Sequence, residues 1–509
     1  MKKIAEVLAQ VMELDPMARA VEYAPDQWWT FGDLASLVSG LITCFADAQL
    51  PEGAAVGVIF RNRPQQLGAL LACTIDGKCA VALNPLLSIE ALHADIRERR
   101  PAMLIGEESD LAASGLAELA HEIGSALVQL PGGHGKAAAV TGLEKPRMGD
   151  LETRPGVLIE MLTSGTTGPP KRVPLMARSF DMSFDAAAST LEGRNGDEGA
   201  RLRTGVRILT APLSHISGIS AALMTLAAGR KLALMEKFEV AAFVAAIVRL
   251  RPKLVNAPPA ALRMMLDAKI DPASLSSVKA IRTGTAPLDP VIADEFLARY
   301  DIPVLQTYGA TEFAGAVAGW ALGDFRDHWA AKRGSVGRLM SGVGARIVDG
   351  ETGAEVASGG EGVLELTGAQ LGPGNWVRTT DRAMIDEDGF LFIRGRTDGA
   401  IIRGGFKIHA EDVVRAIESH PSVREAAIVG LADRRLGEVP VCVFIPVAGA
   451  VPPKADELRA FLRERLLPYQ IPVEFLMVDE LPRTPSMKPS LPDVLTLFQR
   501  GSVTAGTVG

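Results

Sequence analysis

Short apolar runs alternate with helix-like segments along most of the chain, and this alternation restricts the fold more than any other feature of the sequence. Ala55 to Phe60, Ala80 to Leu83, Met103 to Ile105, Arg207 to Ala211 and Lys231 to Leu234 have the length of buried strands. Between them, Pro64 to Thr74, Ile89 to Arg99 and Val240 to Arg251 carry helical spacing. Such a pattern implies an α/β fold with largely parallel sheets. From Gly334 to Ile393 the character changes to Gly-punctuated, β-branched runs such as ARIVD, GVLEL and GFLFIRG, which predict a β-rich subdomain. After the charged stretch GRTDG, a tail follows with helices expected at Glu411 to Ser419 and Lys454 to Leu466, and strands at Glu425 to Gly430 and Val439 to Pro446. The boundary is expected at Arg396 to Asp398, which gives the small α+β tail roughly 110 residues, an ordinary domain size. The final GSVTAGTVG reads as a frayed end.

At 509 residues the chain exceeds what one core ordinarily holds. Its 48% hydrophobic and 22% charged residues are those of a soluble globular protein, and a net charge of -7 argues against a nucleic-acid partner. Cys44, Cys73, Cys79 and Cys442 have neither zinc-ligand spacing nor disulfide-framework density, so they are expected as reduced, buried thiols in a cytoplasmic protein. Acidic residues Glu6, Glu13 and Asp15 interrupt any signal-peptide core at the N-terminus, while Ile4, Val7, Leu8, Val11 and Met12 recur at helical spacing. That segment is expected as an amphipathic docking helix. No apolar run reaches the ~18 residues of a membrane span.

The stretch TSGTTGPPKR, Thr163 to Arg172, follows the strand-like run Val157 to Leu162. Gly165 and Gly168 are separated by two residues, and two prolines precede Lys171, so the Walker spacing is absent. The prolines also oppose a helix starting at the lysine. Four hydroxyls (Thr163, Ser164, Thr166, Thr167), two glycines and a cation suit nucleotide phosphates, although a polar surface turn would have the same composition. Tyr308, Gly309, Thr311 and Glu312 follow the strand-like PVLQ, and a carboxylate there suits Mg²⁺ as well as it suits a solvated loop. IRTGTAPL, Ile281 to Leu288, marks a turn at a strand end, where open α/β sheets bind ligands. His215 in APLSHISG reads first as a core histidine, and Lys488 in LPRTPSMKPS as a solvated lysine on an extended loop that could reach a cleft.

In this order, the segments TSGTTGPPKR, YGATE, RTTDRAMIDEDGF, GRTD, GGFKI and PRTPSMK resemble the adenylate-forming superfamily of acyl-CoA synthetases, nonribosomal adenylation domains and firefly luciferase. Weaker parallels are WWTFGDLA, NRPQQ, ALNP and SHPSVREAAIVG. The resemblance implies an N-terminal AMP-binding domain over 1–395, a hinge at 396–398 centred on Asp398, and a mobile C-terminal lid domain over 399–509. It further implies that a carboxylic acid is activated with MgATP to an acyl-adenylate and pyrophosphate, after which a thiol displaces AMP. On that basis Thr163, Ser164, Gly165, Thr166, Thr167, Gly168 and Lys171 would hold the β and γ phosphates, with Thr166 and Glu312 serving Mg²⁺. Gly284, Thr285, Ala286 and Pro287, together with Thr307, Tyr308, Gly309, Ala310 and Thr311, would sandwich the adenine and meet the α-phosphate. Asp381 would accept from the ribose hydroxyls and Arg396 would add a ribose or phosphate contact. Lys488, charged at its unperturbed value, would bridge carboxylate and α-phosphate. Arg403, Gly404, Gly405, Phe406 and Lys407, in the segment running to His409, would replace it in the thioester step.

The chain departs from the pattern at Arg172, Thr380, Gly399, Val414 and Met487. Arg172 and Met487 adjoin functional positions and are expected to alter loop geometry. None of the departures removes an expected charged catalytic group. The acyl pocket is expected to be lined by His215, Ile216, Ser217, Ala257, Gly284, Thr307, Gly309, Ala314 and Gly315. Only Arg282 lies close in sequence as a cation, which favours an aromatic or short to medium aliphatic monocarboxylate. No carrier domain follows Lys488, so coenzyme A is the expected acceptor. A stand-alone enzyme loading a separate carrier protein, a non-catalytic acyl- or AMP-binding homologue and a luciferase-like oxidase remain alternatives, and a homodimer stays open.

Overall fold

The computed structural model describes residues 3–113, 115–131, 152–163, 171–192, 200–284, 286–310, 313, 315–368, 374–397, 399–403, 406–433, 435–484 and 487–504. Among these, a six-stranded sheet runs in the order Ala126–Leu130, Met103–Glu107, Ala55–Ile59, Cys79–Leu83, Val157–Thr163, Lys171–Met176. Every pairing in it is parallel except the last, an antiparallel hairpin closed by Thr163 opposite Lys171. The central strands are buried on both faces, which is why they read as continuous apolar runs and not as alternating ones. The prolines before Lys171 introduce a strand, as their opposition to a helix suggests.

A second sheet, in the order Gln27–Thr30, Arg19–Ala24, Lys231–Leu234, Val206–Leu209, shares its core with the N-terminal helix Ile4–Leu14. That helix buries Ile4, Val7, Leu8, Val11 and Met12, and Ile4 N donates to Asp181 at 2.7 Å. The third sheet, Leu254–Asn256, Ala280–Thr283, Val304–Ala310, Gly315–Gly319, Arg338–Leu339, begins parallel and ends antiparallel. Trp320 joins it to the β-rich subdomain, its ring 5.0 Å from Phe390 and its Nε1 donating to Ser335 O at 2.8 Å. The subdomain is the antiparallel sheet Val343–Val348, Glu361–Gly368, Val377–Ile385, Leu391–Arg396.

Beyond Arg396 a fifth sheet, built on Phe406–His409, Ala400–Arg403, Gly437–Pro446 and Val423–Asp433 with Glu474–Met477 alongside, is covered by the helices Ala410–Glu418 and Ala455–Arg463. A last helix, Leu491–Thr504, packs Val494 and Phe498 against its other face. The expected frayed end is therefore partly helical: docking of this apolar stripe carries helix through Gly501 to Thr504. The four cysteines are buried and free, and among the described residues no helix is long and apolar enough to cross a membrane. The C-terminal body is held to the rest by Arg382 on Asp412 at 3.0 Å, Arg415 on the Arg394 carbonyl at 3.2 Å and Arg424 on Asp267 at 3.4 Å.

Arg172 explains itself in this architecture. Its side chain enters the edge of the six-stranded sheet, where Nε donates to Asp95 at 2.8 Å and the Nη groups reach the carbonyls of Glu160 and Ala82 at 3.3 Å. Beside it, fully buried Glu160 takes Arg99 and, at 2.7 Å, Arg154. The arginine thus ties the hairpin's second strand to the helix Ile89–Arg99. Removing one partner of a buried pair typically costs about 3–5 kcal/mol, because the other charge is left unmet. Arg172→Ala should therefore lower the thermal midpoint, read by circular dichroism, by several degrees. Asp95→Ala combined with it should lower the midpoint by clearly less than the two single losses added together. Strict additivity would mean that the pair is not coupled.

Candidate active site

A continuous cleft of about 2780 Å³ lies between the N-terminal sheets and the C-terminal body, with Asp381, Arg396, His215, Tyr308 and Lys488 on its walls. Two glycines flatten one wall by close backbone approach. A Cβ at Gly309 would lie 2.2 Å from Gly315 O, and one at Gly284 would lie 2.7 Å from Thr307 Oγ1. Thr307 is fixed in turn by donating to Thr283 O at 3.0 Å.

The Tyr308 hydroxyl donates to Asp381 across the cleft wall. Burial and the Asp381 charge push that phenol well above its ordinary range, so it serves as a permanent donor. Asp381 is oriented further by its own N–H on Thr379 Oγ1 at 3.0 Å. Thr380 acquires a role here: its hydroxyl accepts from Arg396 Nη2 at 2.8 Å and its carbonyl from Thr397 N at 2.6 Å. The segment carrying Asp381 and the strand end carrying Arg396 are thereby locked together.

Lys488 is presented by a closed loop. Thr484 N donates to Lys488 O at 2.8 Å, Arg483 Nη1 donates to Met487 O at 3.0 Å, and Arg483 pairs with Glu425 at 2.6 Å. Burial and the Arg396 charge pull the Lys488 ammonium below its ordinary value, with Asp381 partly offsetting them. Met487, beside it, has φ +63°, a left-handed conformation that costs a side-chain-bearing residue about 1–2 kcal/mol. Its side chain packs against the core cluster that includes Trp320 and Phe390.

His215 is the N-cap of the helix Ile216–Ala227, its Nδ1 accepting from Ser217 N at 3.2 Å. This assigns the proton of the neutral ring to Nε2. Burial, reinforced by the Lys488 charge, pulls the imidazole down to about 4, so it is neutral at physiological pH. Ile216, Ser217, Ala257, Gly284, Ala286, Pro287, Thr307, Gly309 and Gly315 also line the cleft. Arg403 and Phe406 do not: Arg403 donates to Tyr469 O at 2.8 Å, and exposed Phe406 stacks on Tyr469 at 4.6 Å. Ser164, Gly165, Thr166, Thr167, Gly168, Thr285, Thr311, Glu312, Ala314, Asp398, Gly404 and Gly405 lie outside the described residues, as do the side chains of Thr163, Lys171, Ala310 and Lys407.

Sequence reasoning missed the Tyr308 hydroxyl as the partner of Asp381, Thr380 as the anchor of Arg396, and Arg207 as a cleft residue. Arg207 had a readable signal, a charge inside the strand run VRIL.

The model of the AMP-binding enzyme family matches residues 8–376, and that of the AMP-binding enzyme C-terminal domain matches 415–488. The chain belongs to the AMP-binding enzyme family, within the adenylate-forming superfamily. It is similar to a 2-succinylbenzoate–CoA ligase of Bacillus pumilus strain SAFR-032, 30% identical over 476 residues, covering 91% of this chain and 92% of the relative. An indoleacetate–CoA ligase of Aromatoleum aromaticum strain EbN1 is 28% identical, covering 98% of both chains. Among solved structures, o-succinylbenzoate coenzyme A synthetase from Bacillus subtilis, in complex with ATP and magnesium ion, superposes with a TM-score of 0.76 at 25% identity, over 96% of this chain and 99% of that one.

If Tyr308 orients Asp381 for a ribose, Tyr308→Phe should raise the KM for ATP about tenfold with little change in kcat. That is the scale of a lost hydrogen bond to a charged group, about 1.5–3 kcal/mol. An unchanged KM would show that Asp381 does not need the phenol. The His215 ring, followed by NMR, should titrate below pH 5, and the pH–rate profile should show no step near 6.5 that His215→Gln abolishes.

Proposed function

We propose that this enzyme joins a carboxylic acid to coenzyme A through an acyl-adenylate. The reading rests above all on Lys488, a desolvated cation held by a closed loop at the cleft wall that carries Asp381, Arg396 and neutral His215. In the first step a carboxylate oxygen forms a bond to the α-phosphorus of ATP, the bond to the β-phosphate oxygen breaks, and pyrophosphate leaves. Two anions must meet, so positioned positive charge is the main requirement. Lys488 bridges the incoming carboxylate and the α-phosphate. Asp381 takes the ribose hydroxyls, held for that task by Tyr308, and Arg396 adds a ribose or phosphate contact. The close-packed wall at Gly284 and Gly309 offers a flat surface to adenine. Mg²⁺, when bound with ATP, would neutralise phosphate charge, with Thr166 and Glu312 the residues proposed to serve it.

In the second step the thiol of coenzyme A gives its proton to solvent, the resulting thiolate sulfur bonds to the acyl carbon, and the carbon–oxygen bond to AMP breaks. Here Lys488 lies in the cleft while Arg403 and Phe406 lie away from it, an arrangement suited to adenylation. We assign the domain division to 1–395, a hinge at 396–398 and 399–509. Rotation about Asp398 would exchange Lys488 for the segment Arg403 to His409.

Pyrophosphate exchange with a panel of acids, followed by AMP and thioester release with coenzyme A, tests the whole reading. Exchange without any thioester would move the acceptor to a carrier protein, and no exchange with any acid would overturn it. Lys488→Ala should slow adenylation about 10²- to 10³-fold, the scale for losing a preorganised transition-state donor. Thioester formation from a supplied acyl-adenylate should stay near the wild-type rate, and equal loss in both half-reactions would argue against the division of labour.

A further inference from the structure

We propose that the acid activated in this cleft is a dicarboxylate, whose distal carboxylate is held between Arg207 and Arg282; the inference rests on the acid-activating function proposed above. Arg207 lies on the strand Val206–Leu209 and Arg282 on Ala280–Thr283. Their neighbours Ile208 and Ile281 enter one shared apolar core, so strand alternation turns both arginines to the other side. There they line the cleft together with Ala257 and Ser217. The Nε of each is buried without a partner, and among the described residues neither guanidinium makes an ion pair.

Several other arginines of the N-terminal body that reach inward are matched. Arg99 has Glu160, Arg172 has Asp95, Arg63 has Glu107 and Arg249 has Glu22. Only positive charges press on Arg207: burial, Arg282 and Arg230 pull its guanidinium down to about 10, which leaves it charged at neutral pH. Burial likewise lowers Arg282. Two planar forks facing a cleft, desolvated and without a counter-ion, present the donor geometry that a carboxylate accepts in bidentate fashion. The proposal departs from the expectation of a monocarboxylate: Arg282 is visible near the pocket motif, but Arg207 is remote in sequence from it.

The test is a pyrophosphate-exchange screen of aliphatic diacids from succinic to suberic and of aryl diacids, each beside its monomethyl ester. The best diacid should exceed its ester at least tenfold in kcat/KM. Arg207→Met and Arg282→Met should each cost the diacid about 10²-fold, in the range for breaking a buried charge pair, and leave the ester within a few-fold. Arg282→Lys should restore part of the diacid rate, and an unchanged KM for ATP in every variant would show that the fold and nucleotide site are intact. Esters equal to or better than diacids, or variants that hurt both alike, would overturn the dicarboxylate assignment while leaving acid activation standing. A raised KM for coenzyme A with no change in acid preference would give the arginines to the acceptor and also overturn it. Exchange with no acid at all would remove the acid-activating function itself.

Discussion

The cleft depends on cations held away from water, and among the described residues Arg207 and Arg282 make no ion pair. Lys488, Arg207 and Arg282 are each drawn below their ordinary pKa by burial, which means that the fold works against their charge. Moving such a group out of water costs several kcal/mol even after relaxation. Elsewhere several interior charges are matched, as the Arg99, Glu160 and Arg154 cluster and the Arg172–Asp95 pair illustrate. An anion entering the cleft meets donors that are already placed and already desolvated. Binding then relieves an existing imbalance, and little reorganisation is needed when charge develops.

The strand and helix pattern was legible because burial on two faces leaves uninterrupted apolar runs. Lys231–Leu234 and Ile89–Arg99 match their expected spans, and the N-terminal helix buries the five residues its spacing named. Residues of the cleft wall were legible where a motif fixed backbone shape. At Gly284 and Gly309, neighbouring atoms come within 3 Å of where a Cβ would sit, so no other residue fits without displacement. What could not be read were partnerships between distant segments. Tyr308 meets Asp381 across 73 positions and Arg172 meets Asp95 across 77, and no local rule of spacing encodes either. Arg172 in particular was expected to alter loop geometry; the loop lies outside the described residues, and the arginine's side chain enters the sheet edge. A residue that departs from the family pattern can therefore tie the scaffold together.

Met487 carries a related argument about the lid. A glycine would adopt φ +63° freely, whereas methionine takes it only at a cost of about 1–2 kcal/mol. The side chain reaches a core belonging to the N-terminal body, among residues that include Trp320 and Phe390. In the structure the contact accompanies Lys488 lying in the cleft. The same residue thus favours the docked arrangement through packing and stiffens the loop that presents the lysine. If the C-terminal body turns between half-reactions, that packing is lost while the backbone strain remains, so undocking is opposed at this residue. A glycine there would remove both terms, freeing the loop and weakening its hold on the N-terminal core. On the proposed rotation, the balance between presenting Lys488 and releasing it would be set partly by an apolar side chain that takes no part in the chemistry.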